Sequence, residues 1–274
     1  MTSIILSAQN TSNSKNNELR LKLPMPQSLV GHELALGQYI IYYSWPNITD
    51  SFLNRTGFAY RYNGTTYNIT FDRGYYSVAD ISDYINMKMK DNGHYLIDAN
   101  GDEVYYLSLQ ENPIYYKVTL TVKPVPATLP SGWSNPSSMV LTGQSPQLVI
   151  TSTQSGNLIG YSTGTYPSSP AASITSINGS LTPQIHPVQS VSICCNLINN
   201  IQYSSYGNVL YIMTSQNVEY GAQIMVAPQN PFFYPVIDNL YSEIVLTLRD
   251  QNGIDLDLID TNMNAVLLLR PRKY

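Results

Sequence analysis

The chain has 274 residues and a net charge of −4, with only 12% charged residues and 23 tyrosines. No basic field is present to hold a nucleic-acid backbone, so direct nucleic-acid binding is not expected. The charged share is about half that of an ordinary soluble domain. A surface poor in charge and rich in Tyr is that of a protein largely covered by other chains.

Residues 1–17 are rich in Ser, Asn and Thr and read as a flexible N-terminal arm. They lack a basic n-region and a long apolar h-region, so no signal peptide is expected. No apolar run anywhere approaches the roughly 20 residues that a membrane span needs. Leu19, Leu21 and Leu23 alternate with Arg20 and Lys22 in a strand that Pro24 and Pro26 end. Gln38 to Trp45 is a β-branched and aromatic run, stopped by Pro46-Asn47. Phe58 to Phe71 predicts a hairpin, because Asn63-Gly64 separates two alternating runs.

Ser77 to Asp91 predicts the one amphipathic helix, with Ser77 and Asp80 placed for a capping box and Asn92-Gly93 as its stop. Val78, Ile81, Ile85 and Met89 share one face. A second hairpin turns at Ala99 to Asp102, and Ile114 to Val122 reads as a further strand. After Lys123 the composition changes: from Pro124 to Val218 no Asp, Glu, Lys or Arg occurs. Residues 124–187, dense in Pro, Ser, Thr and Gly, read as a β-rich insertion with long turns rather than a linker. Strand character returns at Val188 to Leu197, Val209 to Met213 and Gln223 to Ala227. The chain then leads into a closing hairpin: Leu246 to Leu248, a turn at Asp250 to Gly253, a resumed pattern at Leu256 and Leu258, and the apolar run Ala265 to Leu269. Short strands at regular turn spacing predict an all-β fold, a single jelly roll (antiparallel β-sandwich) with one short amphipathic helix and a β-rich insertion. Its body is expected over 18–123 and 188–274.

Sites for chemistry are sparse. His32, His94 and His186 are far apart and lack metal-ligand spacing, so no metal or cofactor is expected. The runs Asp98 to Asp102 and Asp250 to Asp255 echo calcium loops but lack the closing Glu, and turn chemistry accounts for them. Cys194 and Cys195 are adjacent, with no neighbour that would lower a thiol pKa, and read as buried, free thiols. Asp255, Asp257 and Asp260 read as solvated positions rather than an acid–base pair, and the six Asn-x-Ser/Thr sequons as chance. No enzyme is predicted. Trp133, Phe232, Phe233 and Tyr234 are the candidate interface residues, as aromatic anchors for a neighbouring chain.

Several phrases, in order, resemble the penton (minor capsid) proteins of Polinton/Maverick elements and, more distantly, those of adintoviruses and virophages. They are Tyr43 to Ile48, Gly74 to Ser77, Asn92 to Ile97, Glu111 to Pro113 and Tyr115-Tyr116. In the second half they are Cys195 to Asn200, Tyr220-Gly221 and Leu248 to Gly253. The resemblance covers about residues 40–123 and 188–270 and leaves 124–187 unmatched. It implies a structural subunit of an icosahedral shell, forming homo-pentamers at the vertices beside a double jelly-roll major capsid protein. It also implies a virion location, after an intracellular stage in the host, and no catalytic residues. Five copies around an axis need two different complementary patches per subunit, which low charge and many Tyr suit. The alternatives are a carbohydrate-binding β-sandwich module, using Trp133 or Phe232 as a ring platform, and a receptor-binding spike with 124–187 as its tip.

Overall fold

Three strands open the chain: β1 (Thr2–Ser7), β2 (Glu18–Ser28) and β3 (His32–Tyr42). There follow α1 (Phe52–Arg55), β4 (Phe58–Tyr62), β5 (Thr65–Ile69), α2 (Val78–Asp91), β6 (Leu96–Ile97), β7 (Glu103–Val104), β8 (Leu107–Asn112) and β9 (Lys117–Val122). Next come β10 (Gln147–Ile150), α3 (Thr153–Ile159), β11 (Gly164–Tyr166) and β12 (Thr175–Asn178). The remainder forms β13 (Val191–Cys195), β14 (Val209–Met213), β15 (Gln223–Val226), β16 (Tyr234–Pro235), β17 (Leu240–Asp250) and β18 (Asn264–Pro271). The computed structural model describes residues 2–7, 10–12, 15–200, 207–215 and 218–272. Its contacts divide the chain into a first unit, Met1–Trp45 with Val188–Tyr274, and a second, Pro46–Pro187.

The first unit has two antiparallel sheets. One runs β1-β18-β3-β15, with β16 also on β3, and the other runs β14-β13-β17-β2. Successive strands pass from one sheet to the other, except at the β13–β14 and β15–β16 steps, each of which stays within one sheet. With β15 and β16 sharing one position beside β3, eight strand positions wound in that order are a jelly roll. Strands β17 and β18 alternate between core and surface, whereas β13 is buried along its whole length. Ala265, Leu267 and Leu269 of β18 are buried, as are Ile244, Leu246 and Leu248 of β17. On β3 the buried set changes from Leu34 and Leu36 to Tyr39 and Ile41 because the register with β18 slips at Gly37. A Cβ at Gly37 would stand 3.0 Å from Leu268 Cγ, so glycine lets the two strands close at this bulge.

Four expectations change. The first six described residues are strand rather than loose arm: β1 pairs with β18 along its length, and Leu6 is fully buried. The closing segment is not a hairpin, because β17 and β18 lie in different sheets. Asp250 Oδ1 does accept the Asn252 and Ile254 N–H groups in a tight turn, but Leu256 and Leu258 are then buried in an irregular crossing. The first domain boundary moves from 123/124 to 45/46, so the jelly roll is interrupted between β3 and β13 by all of Pro46–Pro187. Finally, Ile114 to Tyr116 is a turn rather than strand, since Pro113 lacks the N–H a ladder needs.

The second unit holds the sheets β11-β10-β4-β5 and β12-β9-β8, with a small β6-β7 hairpin. Phe58, Tyr60 and Ile69 share one core with Ile81, Ile85 and Met89 of α2 and with Leu148, Ile150, Ile159 and Tyr161. Residues from both sides of Lys123 therefore bury each other. The Asn63-Gly64 turn has φ of 47° and 79°, the left-handed pair the dipeptide favours. Ser77 and Asp80 form the reciprocal capping box at the start of α2. A further helix, α3, lies within the uncharged segment, capped by Ser152 and closed at Gly160 with φ 75°. Its short polar sequence carries no helical hydrophobic stripe, which is why periodicity misses it.

At the C-terminus of α2, Asn92 Nδ2 donates to Tyr60 Oη (2.9 Å), and Tyr60 stands 2.8 Å from His94 Nδ1. With its oxygen taken by Asn92, the Tyr60 hydroxyl hydrogen is directed at a neutral imidazole. The rings of Tyr62 and Tyr67 close on His94 at 5.0 and 4.6 Å. Burial lowers the His94 pKa from its ordinary 6.5. The unfolded chain then binds the proton more readily than the folded one. This contribution to stability is complete above about pH 6.5 and declines as pH falls from there toward the lowered value. Urea midpoints should drop between pH 7.5 and 5.5, and His94→Gln should flatten that part of the profile. An unchanged slope in the variant would contradict the assignment.

Candidate assembly interface

The β8–β9 hairpin is held rigidly at its base. Val118, Leu120 and Val122 of β9 are fully buried, and Tyr161 Oη accepts from the Leu120 N–H (2.9 Å) while donating to the backbone carbonyls of β9 and β12. Thr119 Oγ1 donates to Asn178 (2.6 Å), and Lys117 Nζ donates to the Ser180 carbonyl (3.1 Å). Its tip is the opposite. Ile114, Tyr115 and Tyr116 are 85%, 65% and 70% exposed, three large apolar side chains in succession. Tyr116 has φ of 53°, a left-handed conformation a bulky residue adopts at a cost. A single exposed apolar residue means little, but a contiguous group on a rigid stem marks a contact surface. Tyr115-Tyr116 stands among the phrases of the family resemblance, yet the strand predicted over Ile114 to Val122 gives no sign of a tip there.

In the first unit, Phe232 is 71% exposed while Phe233 and Tyr234 are half-buried. Tyr234-Pro235 pairs with β3 at Leu34 and Glu33, and the Arg270 guanidinium lies 3.6 Å from the centre of the Phe233 ring. Glu33 in turn pairs with Arg270. This cation–π clamp fixes Phe233 and leaves Phe232 as the projecting ring, with its centre 4.8 Å from Tyr234. Trp133, in the second unit, is half-buried and packs against that unit's core. Its loop is fastened by the paired backbone bonds of Ser134 and Ile97. The structure thus brings Phe232, Phe233 and Tyr234 together and places Trp133 in the other unit.

Cys194 and Cys195 are buried free thiols, and burial pushes Cys195 up to about 12. A thiol held protonated is a poor nucleophile. Asp98 accepts the N–H groups of Asn100 and Asp102 as a turn anchor, which lowers its pKa. Asp255 pairs with Lys15 at 2.5 Å and Arg249 at 3.3 Å. Among the described residues no group of three or more His, Cys, Asp or Glu is placed to hold a metal ion. No helix among them is long and apolar enough to cross a membrane.

Two solved structures are similar to the chain over essentially their whole lengths. The crystal structure of selenomethionine-labelled mavirus penton protein matches 99% of this chain and 98% of its own, with a TM-score of 0.46 and 9% identity. A chain of the Sputnik virophage structure from cryo-electron microscopy matches with full coverage of both chains, a TM-score of 0.44 and 12% identity. No protein-family model matches the sequence, and no curated protein matches it. The jelly roll is defined by the strand order itself.

Proposed function

We propose that the chain is a structural subunit of a virus-like shell: a penton that closes five-membered rings at icosahedral vertices. Its neighbours there are double jelly-roll major capsid proteins, and its place is the virion. The observation that carries the reading is the rigid hairpin with an apolar tip, Ile114-Tyr115-Tyr116, on a chain of very low charge. Burying each such side chain is worth about 1.5–3 kcal/mol, which a solitary subunit forgoes and a ring recovers. Phe232 with its clamped neighbours supplies a second, different patch, as heterologous ring closure requires. The ordered phrases resembling penton proteins point the same way. The role is one of assembly, with no catalytic step.

The mass in solution tests this. Light scattering across concentration should give a species near five times 30.6 kDa. A monomer at every concentration, persisting when the major capsid protein is co-expressed, would overturn the reading.

A further inference from the structure

The geometry points to a binding site for an acidic sugar in the second unit, in the cleft where Arg61 faces the Thr142–Gln147 segment. The site is separate from shell assembly and stands or falls by itself. On β4, Phe58, Tyr60 and Tyr62 are buried, so Arg61 is turned to the outer face of the sheet. Its cross-strand neighbours are Thr66 on β5 and Gln147 on β10. Arg61 Nε donates to Thr66 Oγ1 (3.1 Å), which orients the guanidinium and leaves its terminal nitrogens as donors. No carboxylate among the described residues pairs with it.

The cleft has a volume of about 370 Å³ and is walled by Asn63, Val140, Thr142, Gln144 and Pro170. Its floor is Ser145 and Gln147, 4% and 3% exposed. Both are fixed. Ser145 exchanges backbone and side-chain bonds with Ala171 (2.8 and 3.1 Å), and Gln147 Nε2 donates to the Pro167 carbonyl (2.7 Å), keeping its amide oxygen as an acceptor. A polar floor held in advance loses little order when a ligand binds.

The lining selects the ligand. One unneutralised guanidinium calls for one negative charge, and a carboxylate matches its two-pronged geometry. A phosphate dianion would leave charge unmatched by that single cation. Amides and hydroxyls from five residues suit the hydroxyls of a sugar, while Val140 and Pro170 offer a small apolar wall to ring C–H groups. No acidic side chain lines the cleft, so nothing repels the carboxylate. The volume lies in the range of small-molecule sites and accommodates a monosaccharide.

The test is calorimetric titration of the full chain with glucuronic acid, its neutral methyl ester and N-acetylneuraminic acid. The two acids should bind with Kd of about 1 mM, near −4 kcal/mol, and the ester about tenfold more weakly or not at all. Arg61→Ala should lose about tenfold or more, Arg61→Lys should retain part of the binding, and Thr142→Val should lose a smaller factor. Arg61 is exposed, so its variants should melt with the parent. Tighter binding of sialyllactose than of the free acid would assign the site to glycan ends, and equal binding to the free sugar acid. Absent binding of both acids would overturn the proposal. So would equal binding of the ester, unaltered binding by Arg61→Ala, or displacement by equimolar inorganic phosphate.

Discussion

Replacing Asn47 by alanine is expected to cost about 2–4 kcal/mol of stability, among the largest effects of any single polar substitution in the chain. Asn47 is buried, at the start of the second unit. Its Nδ2 donates to the carbonyls of Tyr76 (2.8 Å) and Ile185 (2.9 Å), and its Oδ1 accepts the Tyr76 N–H (2.9 Å). Next to it, Ile48 and Gly74 exchange backbone bonds at 3.0 and 2.9 Å. One side chain thus ties the entry of the unit to the residues just before its exit. Alanine would leave two carbonyls and one N–H buried without their partner, and each such loss carries a desolvation penalty beyond the missing bond. Urea unfolding should show a lower midpoint with an unchanged slope. Aspartate should not rescue, because a carboxylate cannot donate to the two carbonyls. A loss below about 0.5 kcal/mol in the alanine variant would mean that water replaces the side chain there. The same bonds exclude glycan attachment at the Asn47-Ile48-Thr49 sequon in the folded protein.

What the sequence discloses depends on how local the cause is. The Asn63-Gly64 hairpin and the Ser77/Asp80 capping box are decided within a few residues, and both form where their chemistry predicts. The interruption of the jelly roll is decided elsewhere. β3 and β13 are consecutive strands of one sandwich, yet the whole second unit separates them in the chain. The change of composition at Lys123 marks a loss of surface charge and not a boundary of packing. Leu148 and Ile150 sit in the same core as Phe58 and Ile81 because β10 pairs with β4. The Arg61 cleft has the same origin: that pairing sets Arg61 opposite Gln147, where the sequence shows only a polar hairpin position and an uncharged strand. The first strand was hidden by its polar flanks, although Leu6 is as deeply buried as any core residue.

The second large effect concerns the hairpin tip. The double variant Ile114→Asp/Tyr115→Asp is expected to weaken self-association by about 100-fold or more, while the monomer melts as before. Both side chains stand in water in the single subunit, so their replacement costs the fold little. In an assembled ring the same positions would bury two carboxylates against apolar surface, a change that outweighs the lost contact alone. Tyr116→Gly separates the two roles further. Glycine adopts the φ of 53° found at Tyr116 without the steric cost of a side chain, so it should leave the monomer as stable or raise it by up to about 1 kcal/mol. It also removes one aromatic ring from the tip, so association should fall. A rise in monomer stability with a fall in assembly is the signature of a conformation kept for contact and not for folding. Light scattering and thermal melts on the three proteins decide it. Association unchanged in the double variant would place the ring contact elsewhere, with the Phe232 patch as the next surface to alter.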